Sequence, residues 1–263
     1  MTRAQRNQRV RMEKSGVLTM SAFLVDSALS KEDSRRLECE YDLFGHDSYM
    51  YLNCDDFEAV FTFTELTSAV ITSYIMFLYE QIKKEQIHDR GICFMNPSVI
   101  SRADQRKPKP KHIEDASRAV ADRLYKRKGN DIILLPYNPG NHWVLAVLNL
   151  KTTTCYYLDS LRPRSVDEQL RQIIDTAMAV YASESGANIR VKLVWINARC
   201  PRQPGGTECG YYVMKFMKEI AYEGVEILDN DNVGKGVEEY SAADMDGIRE
   251  DWSTYAVNSI FKL

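Results

Sequence analysis

The sequence contains three widely spaced side chains of types that support nucleophilic catalysis, in the order His142, Asp159 and Cys209. A thiolate is a strong nucleophile, an imidazole can take up and return a proton, and a carboxylate can orient the imidazole. The chain has only 4 histidines, so a catalytic histidine is chosen from a short list. His142 opens an apolar segment directly after a polar loop, where a ring can face a cleft, although a single histidine at such a place is more often an ordinary surface residue.

The two predicted strands that carry His142 and Asp159 form a hairpin that turns at Lys151-Thr152. This register places Asp159 opposite Val144, on the same face as His142. Diagonal neighbours on paired strands are ~7–8 Å apart, which allows a hydrogen bond between the imidazole and the carboxylate. A slip of one residue would move Asp159 to the other face, and its alternative role is a turn at the end of the strand.

Cys209 comes directly before an amphipathic helix, and the preceding loop contains Gln203, Gly205 and Gly206. The free amides at a helix N-terminus and a nearby imidazolium both favour the thiolate. The backbone amides of Cys209 and Gly210 and the side-chain amide of Gln203 are candidate donors to an oxyanion, while the two glycines allow a substrate to approach the loop. A cysteine at a helix start, taken alone, is more often a small core residue.

Three motifs around these residues resemble the Ulp1-type cysteine peptidases that process and remove ubiquitin-like modifiers. They are N-H-W at 141–143, Y-Y-L-D-S at 156–160 and C-P-R-Q-P-G-G-T-E-C-G-Y-Y at 200–212. The order histidine, aspartate, cysteine is also that of the family. The G-G-T-E motif further resembles the Ulp1-like domains of plant mobile elements.

The resemblance implies a role for each residue and a papain-like or adenain-like peptidase fold. It makes His142 the general base, Asp159 its orienting partner, Cys209 the nucleophile and Gln203 the oxyanion donor. Trp143 would wall a narrow tunnel for the Gly-Gly tail of the substrate, and its alternative is a buried strand aromatic. No metal or organic cofactor is implied.

One stretch departs from the family pattern. Where the family usually has Trp-Leu-Asn-Asp, this chain has Glu65-Leu66-Thr67-Ser68, so a second tunnel tryptophan is missing. The expected partner is a ubiquitin-like modifier or its conjugates, with SUMO as the family default. The alternatives are a peptidase that cleaves other proteins, an acyltransferase of the same fold, and a binding module without turnover. A monomer in the nucleus or cytoplasm is expected.

Composition excludes several classes of protein. The 263 residues carry 34 lysines and arginines against 37 acidic residues, a net charge of −3, so no nucleic-acid partner is expected. No segment has the ~18–20 uninterrupted apolar residues of a membrane span, and the basic start followed by residues 17–25 imitates a signal peptide only weakly. The 6 cysteines lack C-x-x-C spacing, which argues against a zinc site or a disulfide scaffold and indicates an intracellular protein.

Apolar periodicity predicts helices, then a central, mostly antiparallel sheet, then more helices, which is an α+β arrangement. The predicted helices are 66–83, 113–125, 165–183 and 210–221, with a last one ending near 263, and the predicted strands are 131–137, 142–150, 154–161 and 189–196. A capping box is predicted at Ser165 and Glu168. Residues 1–54 are assigned to an N-terminal extension that begins with a basic mobile arm, residues 55–263 to the catalytic domain, and residues 102–111 to a basic loop.

Overall fold

The computed structural model describes residues 16–87, 90–101, 110–161, 165–186 and 192–261. Along the chain the elements are α1 (Gly16–Ala28), β1 (Ser34–Cys39), α2 (Tyr41–Phe44), β2 (Ser48–Asn53), α3 (Cys54–Thr62), α4 (Ser68–Lys84), β3 (Ile92–Phe94), α5 (Pro97–Ile100), α6 (Pro110–Tyr125), β4 (Ile132–Tyr137), β5 (Val144–Asn149), β6 (Thr154–Leu158), α7 (Glu168–Ser185), β7 (Val194–Asn197), α8 (Cys209–Glu223), α9 (Glu226–Asp229), a 3-10 helix (Val233–Gly236) and α10 (Ala242–Phe261). Three predicted segments lie largely or partly outside the described residues: the arm at 1–16 except Gly16, most of the basic loop at 102–111, and the start of the strand at 189–196.

A mixed sheet of five strands, in the order β3-β4-β5-β6-β7, forms the centre of the fold. The pairs β4–β5 and β5–β6 are antiparallel, whereas β3 and β7 run parallel to their neighbours at the two edges. Every residue of β4, β5 and β6 is buried, so both faces of these strands are covered. The predicted α+β class with helices around a central sheet is confirmed.

Alternate residues of β5 enter two separate cores, one on each face of the sheet. Leu145 and Val147 belong to the first core, which includes apolar residues of α4, α8 and α10. Ala146 and Leu148 belong to the second core, which includes apolar residues of α6 and α7. The period of two along a strand thus divides the helices into two layers.

Residues 16–54, for which the apolar pattern predicts no element, pack into the first core. Leu18 of α1 and Leu52 of β2 are fully buried there. The buried guanidinium of Arg123 in α6 joins this segment to the rest of the chain, because it donates to the carbonyl oxygens of Asp42 at 3.3 Å and Leu43 at 3.1 Å. The division of the chain at residue 54 stays a prediction.

A second buried guanidinium ties the C-terminal helix to the N-terminal part of the chain. Arg249 of α10 donates to the carbonyl oxygens of Val60 and Phe61, both at 2.9 Å, and to the carboxylate of Asp246 at 2.7 Å. Its side chain is 2% exposed. The two carbonyl groups lie near the end of α3, so α3 and the C-terminal helix α10 are held together by polar contacts as well as by packing.

The start of α7 differs from the predicted capping box. The helix begins at Glu168, and its N-cap is Asp167, whose carboxylate accepts from the amide of Leu170 at 3.0 Å. Ser165 lies too early to cap it. The prediction was wrong because Asp167 and Ser165 are both good caps, and only the packing of the helix against its layer selects between them.

The structure also contains a strand that the sequence analysis did not predict. Residues Ile92–Phe94 form β3, which pairs with β4 in parallel. Three residues are too few to show the alternation that identifies a strand, and all three are buried.

Candidate active site

His142 is held at the entrance of β5 by the loop that precedes it. The side-chain oxygen of Asn138 accepts from the amides of Gly140 at 2.7 Å and His142 at 3.3 Å. Gly140 and Asn141 both have positive φ, 113° and 59°, which turns the chain sharply. The loop thereby fixes the backbone from which the imidazole projects.

The hairpin register brings Asp159 to His142. In β5 and β6, Leu145 pairs with Leu158, which is the predicted register. The Nε2 atom of His142 lies 2.7 Å from Oδ1 of Asp159, and the same oxygen accepts from the amide of Leu161 at 2.9 Å. The side chains of His142 and Asp159 are 15% and 6% exposed, so solvent competes little for this hydrogen bond.

Cys209 is the first residue of α8, and its side chain is hydrogen-bonded to His142. Because Asp159 occupies Nε2 of the ring, Nδ1 is the nitrogen left to face the thiol. The N-cap residue Glu208 provides no side-chain cap, so the first amides of the helix remain without a side-chain acceptor. These amides and the positive end of the helix dipole therefore surround the sulfur atom of Cys209 with potential donors to an anion.

The environment of His142 favours its protonated form. Burial is the largest single influence and lowers the pKa, but the hydrogen bonds to Asp159 and Cys209 and the charges of these groups outweigh it and raise the pKa of His142 to about 9. The ring is therefore an imidazolium at neutral pH, between the carboxylate of Asp159 and the thiol of Cys209.

The helix that carries Cys209 is anchored to a distant part of the chain. The hydroxyl group of Tyr211 donates to the carbonyl oxygens of Ala59 at 3.0 Å and Thr64 at 3.1 Å, and these partners are 152 and 147 residues away. Gly210 lies directly against Leu66. Cys209 is thus positioned by α3 and by the segment that follows it.

The loop before Cys209 is organised around Gln203 and Glu208. The side chain of Gln203 is hydrogen-bonded at both ends, to Ser160 and to the carbonyl of Gly205. The carboxylate of Glu208 accepts from the amide of Thr207 at 3.1 Å and lies over Gly205, where any side chain would collide with it. A Cβ atom at Gly206 would meet nothing within 4 Å, so this glycine borders open space.

The sequence of residues 64–257 matches the model of the Ulp1 protease family, C-terminal catalytic domain. The match covers more than half of the chain. The chain belongs to the Ulp1 protease family. The resemblance recognised in the three motifs is thereby confirmed at the level of the family, while membership of its plant mobile-element branch stays a prediction.

Two curated Ulp1 relatives match part of the chain. Ubiquitin-like-specific protease ESD4 of Arabidopsis thaliana is 33% identical over 91 residues, which are 33% of this chain and 18% of the relative. Ubiquitin-like-specific protease 1 of Saccharomyces cerevisiae is 33% identical over 97 residues, which are 35% of this chain and 16% of the relative. The matched segments are therefore less than a fifth of the length of either relative.

Solved structures of Ulp1 share the fold over nearly the whole chain. The SUMO protease Ulp1 with its catalytic cysteine oxidised to a sulfenic acid superposes with a TM-score of 0.61 at 16% identity, covering 96% of this chain and 97% of that one. The C-terminal Ulp1 protease domain in complex with Smt3, the yeast ortholog of SUMO, gives a TM-score of 0.60 at 17% identity, covering 94% and 98%.

Trp143, the predicted wall of the substrate tunnel, is a buried side chain with a hydrogen-bond partner of its own. It is 2% exposed, and its indole nitrogen donates to the carbonyl oxygen of Leu66 at 2.8 Å. Leu66 belongs to the stretch that departs from the Ulp1 pattern, and Glu65, which stands in place of the missing tryptophan, is exposed. The role of Trp143 beside the substrate tail stays a prediction.

Three residues that shape the site were not among the predicted site residues, namely Leu66, Asn138 and Ser160. The Asn-Pro-Gly-Asn turn could have indicated Asn138, because an asparagine at the start of a turn often caps it. Leu66 and Ser160 act through contacts distant in sequence. Ser160 ends the Y-Y-L-D-S motif, but the motif does not indicate its bond to Gln203.

Three further properties of the described part of the chain concern metal ions, membranes and disulfides. It contains no group of three or more His, Cys, Asp or Glu side chains placed to hold a metal ion. None of its helices is long and apolar enough to cross a membrane. All 6 cysteines lie in it as free thiols.

Proposed function

We propose that this chain is a cysteine peptidase that cleaves after the C-terminal Gly-Gly of a ubiquitin-like modifier, in a precursor or in a conjugate. The proposal is carried by one observation: in a chain of the Ulp1 family, Cys209 at the start of α8 is hydrogen-bonded to His142, which Asp159 holds from its other side. Nucleophile, base and orienting group are in contact in the required order.

In the first half of the reaction the Cys209 thiolate attacks the carbonyl carbon of the last glycine. The carbonyl oxygen becomes an oxyanion, which the amides of Cys209 and Gly210 and the side chain of Gln203 stabilise. The imidazolium of His142 then gives its proton to the leaving amine, the carbon–nitrogen bond breaks, and a thioester to Cys209 remains.

In the second half of the reaction, water hydrolyses the thioester. His142, now neutral, takes a proton from the water as it attacks the same carbonyl carbon. The second oxyanion occupies the same place as the first. When the carbon–sulfur bond breaks, the carboxylate of the modifier is released and the thiolate–imidazolium pair is restored. Asp159 keeps the ring oriented throughout and stabilises its charged form.

The names of the relatives support a SUMO-like modifier as the substrate. Both curated relatives are called ubiquitin-like-specific proteases, and one similar solved structure is a complex with Smt3, the yeast ortholog of SUMO. The exposed Glu65 in place of the family tryptophan is a reason to test several modifiers rather than SUMO alone. A monomer in the nucleus or cytoplasm remains part of this proposal.

The proposal is tested with modifiers that carry a C-terminal electrophile in place of the last glycine. SUMO, ubiquitin and other small modifiers are each incubated with the wild-type chain and with Cys209→Ala. We expect a covalent adduct with at least one modifier, its attachment to Cys209 shown by peptide mapping, and no adduct with the variant. Cys54→Ala is the matched control, because Cys54 is a partly exposed thiol outside the site and its loss should leave the adduct intact.

Two results would contradict the proposal. If Cys209 reacts with a small alkylating agent but with no modifier probe, the chain is a peptidase of other proteins or an acyltransferase. If Cys209 is inert toward the small agent in a folded chain, the site lacks an activated thiol and a binding module becomes the better description.

A further inference from the structure

We propose that Ser160 is a positioning residue that sets the orientation of the Gln203 side-chain amide and thereby provides the oxyanion donor. The inference rests on the proposed function and adds a residue to it. The hydroxyl group of Ser160 lies 2.6 Å from Oε1 of Gln203, and the backbone amide of Gln203 donates to the carbonyl oxygen of Ser160 at 3.0 Å. The two residues are 43 positions apart and are joined by both main chain and side chain.

The contacts of Gln203 define which end of its amide is oxygen. The carbonyl oxygen of Gly205 lies 3.1 Å from one end and can only accept, so that end must be the NH2 group. The other end is then the oxygen, and the Ser160 hydroxyl must donate to it. With these two hydrogen bonds made, one N–H of Gln203 remains for a substrate.

Burial makes this arrangement rigid. Ser160 is 1% exposed and Gln203 is 8% exposed, so water cannot readily replace the Ser160 hydroxyl. An amide oxygen without its donor in such a place carries a desolvation cost, and the amide regains a donor only by rotating or by flipping. Either movement directs the free N–H away from the place of the oxyanion.

Ser160 directly follows Asp159, so one strand end supports two steps of the chemistry. Asp159 orients the imidazole and Ser160 orients the amide. Their hydrogen bonds run to different partners and share no atom. Loss of the Ser160 hydroxyl should therefore affect oxyanion stabilisation without affecting thiolate formation.

The experiment compares Ser160→Ala, Gln203→Ala and the double variant in the full chain, with a modifier fused to a reporter after its Gly-Gly. Removal of an oxyanion donor costs about 10²–10³-fold in kcat, and we expect Gln203→Ala in that range and Ser160→Ala at about tenfold, with KM within twofold. The double variant should be no slower than Gln203→Ala. Alkylation of Cys209 by iodoacetamide forms no oxyanion, so its rate should stay at the wild-type level in all three variants.

A matched control is Ser117→Ala, which removes an equally buried hydroxyl group from α6, where it bonds to the helix carbonyl of Ile113. Its kcat should equal that of the wild type. The proposal is overturned if Ser160→Ala keeps wild-type kcat, or if it costs the same factor in the Gln203→Ala background, or if it slows alkylation equally.

A turnover-independent readout separates this inference from the proposed function. The side-chain amide signals of Gln203 in ¹⁵N NMR are identified by their absence in Gln203→Ala. In Ser160→Ala they should shift and their protons should exchange at least ten times faster with water, whereas Ser117→Ala leaves them unchanged. Unchanged signals in Ser160→Ala overturn the inference even in a chain that cleaves no modifier.

Discussion

Gly210 lies so close to Leu66 that a methyl group at position 210 would come within 2.9 Å of the Leu66 Cβ atom. Gly210 follows the nucleophile, and Leu66 carries the carbonyl group that accepts from Trp143. Leu66 therefore contacts both α8, the helix that begins with Cys209, and Trp143, the predicted wall of the substrate tunnel.

Gly210→Ala should destabilise the fold and reduce activity. Overpacking of a close contact costs about 1–3 kcal/mol, which exceeds the gain of ~0.5–1 kcal/mol from replacing a helical glycine. Thermal unfolding and kcat with a modifier–reporter fusion measure both effects. Gly247→Ala is the control, since a Cβ there meets nothing within 4 Å in α10 and should leave activity unchanged. Equal stability of the two variants would contradict the close contact.

The raised pKa of His142 predicts the alkaline limit of activity. Below a pKa of about 9 the ring holds the proton that the leaving amine requires, and above it this proton is lost, so kcat/KM should fall as the pH rises through 9. Asp159→Asn removes a charge that raises the pKa of His142, and the falling limb should move to lower pH. Alkylation of Cys209 needs no acid and should not fall above pH 9. If kcat/KM of the wild type already falls well below pH 9, the raised pKa of His142 is contradicted.

The three side chains proposed to be catalytic, Cys209, His142 and Asp159, should differ in the size of their effects. Cys209→Ala should abolish turnover and keep modifier binding measurable. His142→Ala removes the group that transfers the proton, a loss of about 10²–10⁴-fold in kcat/KM, while Asp159→Ala only removes its orienting partner and should lose less. Single-turnover kinetics measures the two rates. Equal rates of His142→Ala and Asp159→Ala would show that Asp159 does more than orient the imidazole.

Arg249→Met tests the polar link between the C-terminal and N-terminal helices. It leaves the buried carbonyl group of Val60 without the Arg249 donor, and such an unsatisfied group costs about 1–3 kcal/mol, so the free energy of unfolding should fall by a similar amount. Arg199→Met is the control because the ion pair of Arg199 with Glu238 is exposed, and such pairs contribute at most ~1 kcal/mol. Urea unfolding compares them, and similar losses would refute the role of burial.

Trp143→Phe separates the polar from the aromatic part of Trp143. It keeps a ring but leaves the buried Leu66 carbonyl without its donor, so stability should fall by about 1–3 kcal/mol. Trp195→Phe provides the comparison, since the partner of its indole nitrogen, Asp175, is partly exposed and can bond to water instead. Its loss should be smaller in the same thermal scan. If Trp143→Phe and Trp195→Phe lose the same stability, the Leu66 carbonyl oxygen accepts from another donor in the Trp143→Phe variant.

The sequence predicted the parts of the fold that repeat a pattern over many residues. The strands β4 to β6 are mostly apolar, and the turn at Lys151-Thr152 predicts the register that brings Asp159 to His142. A hairpin depends on local residues only, so its geometry can be read from the chain. Cys209 was predicted from its place at the start of a helix only in combination with His142, Asp159 and Gln203, which precede it in that order.

The parts that were not predicted depend on distant residues. No pattern in residues 17–53 shows that Leu18 and Leu52 enter the same core as α8 and α10. The bond between Ser160 and Gln203 joins residues 43 positions apart, and a serine after an aspartate has many other roles. Such contacts follow from the packing of whole elements, and the propensity of single residues does not encode them.

The anchoring of α8 by the bond from Tyr211 to Ala59 has a consequence for the order in which the chain folds during translation. The imidazole and its carboxylate are 17 residues apart and can pair soon after both leave the ribosome, because nearby contacts form fastest. Cys209 is made later, and its helix must then find an anchor synthesised 152 residues before. We expect the nascent chain to carry an unreactive thiol until that late docking, so that proteolytic capacity arises only in the finished domain.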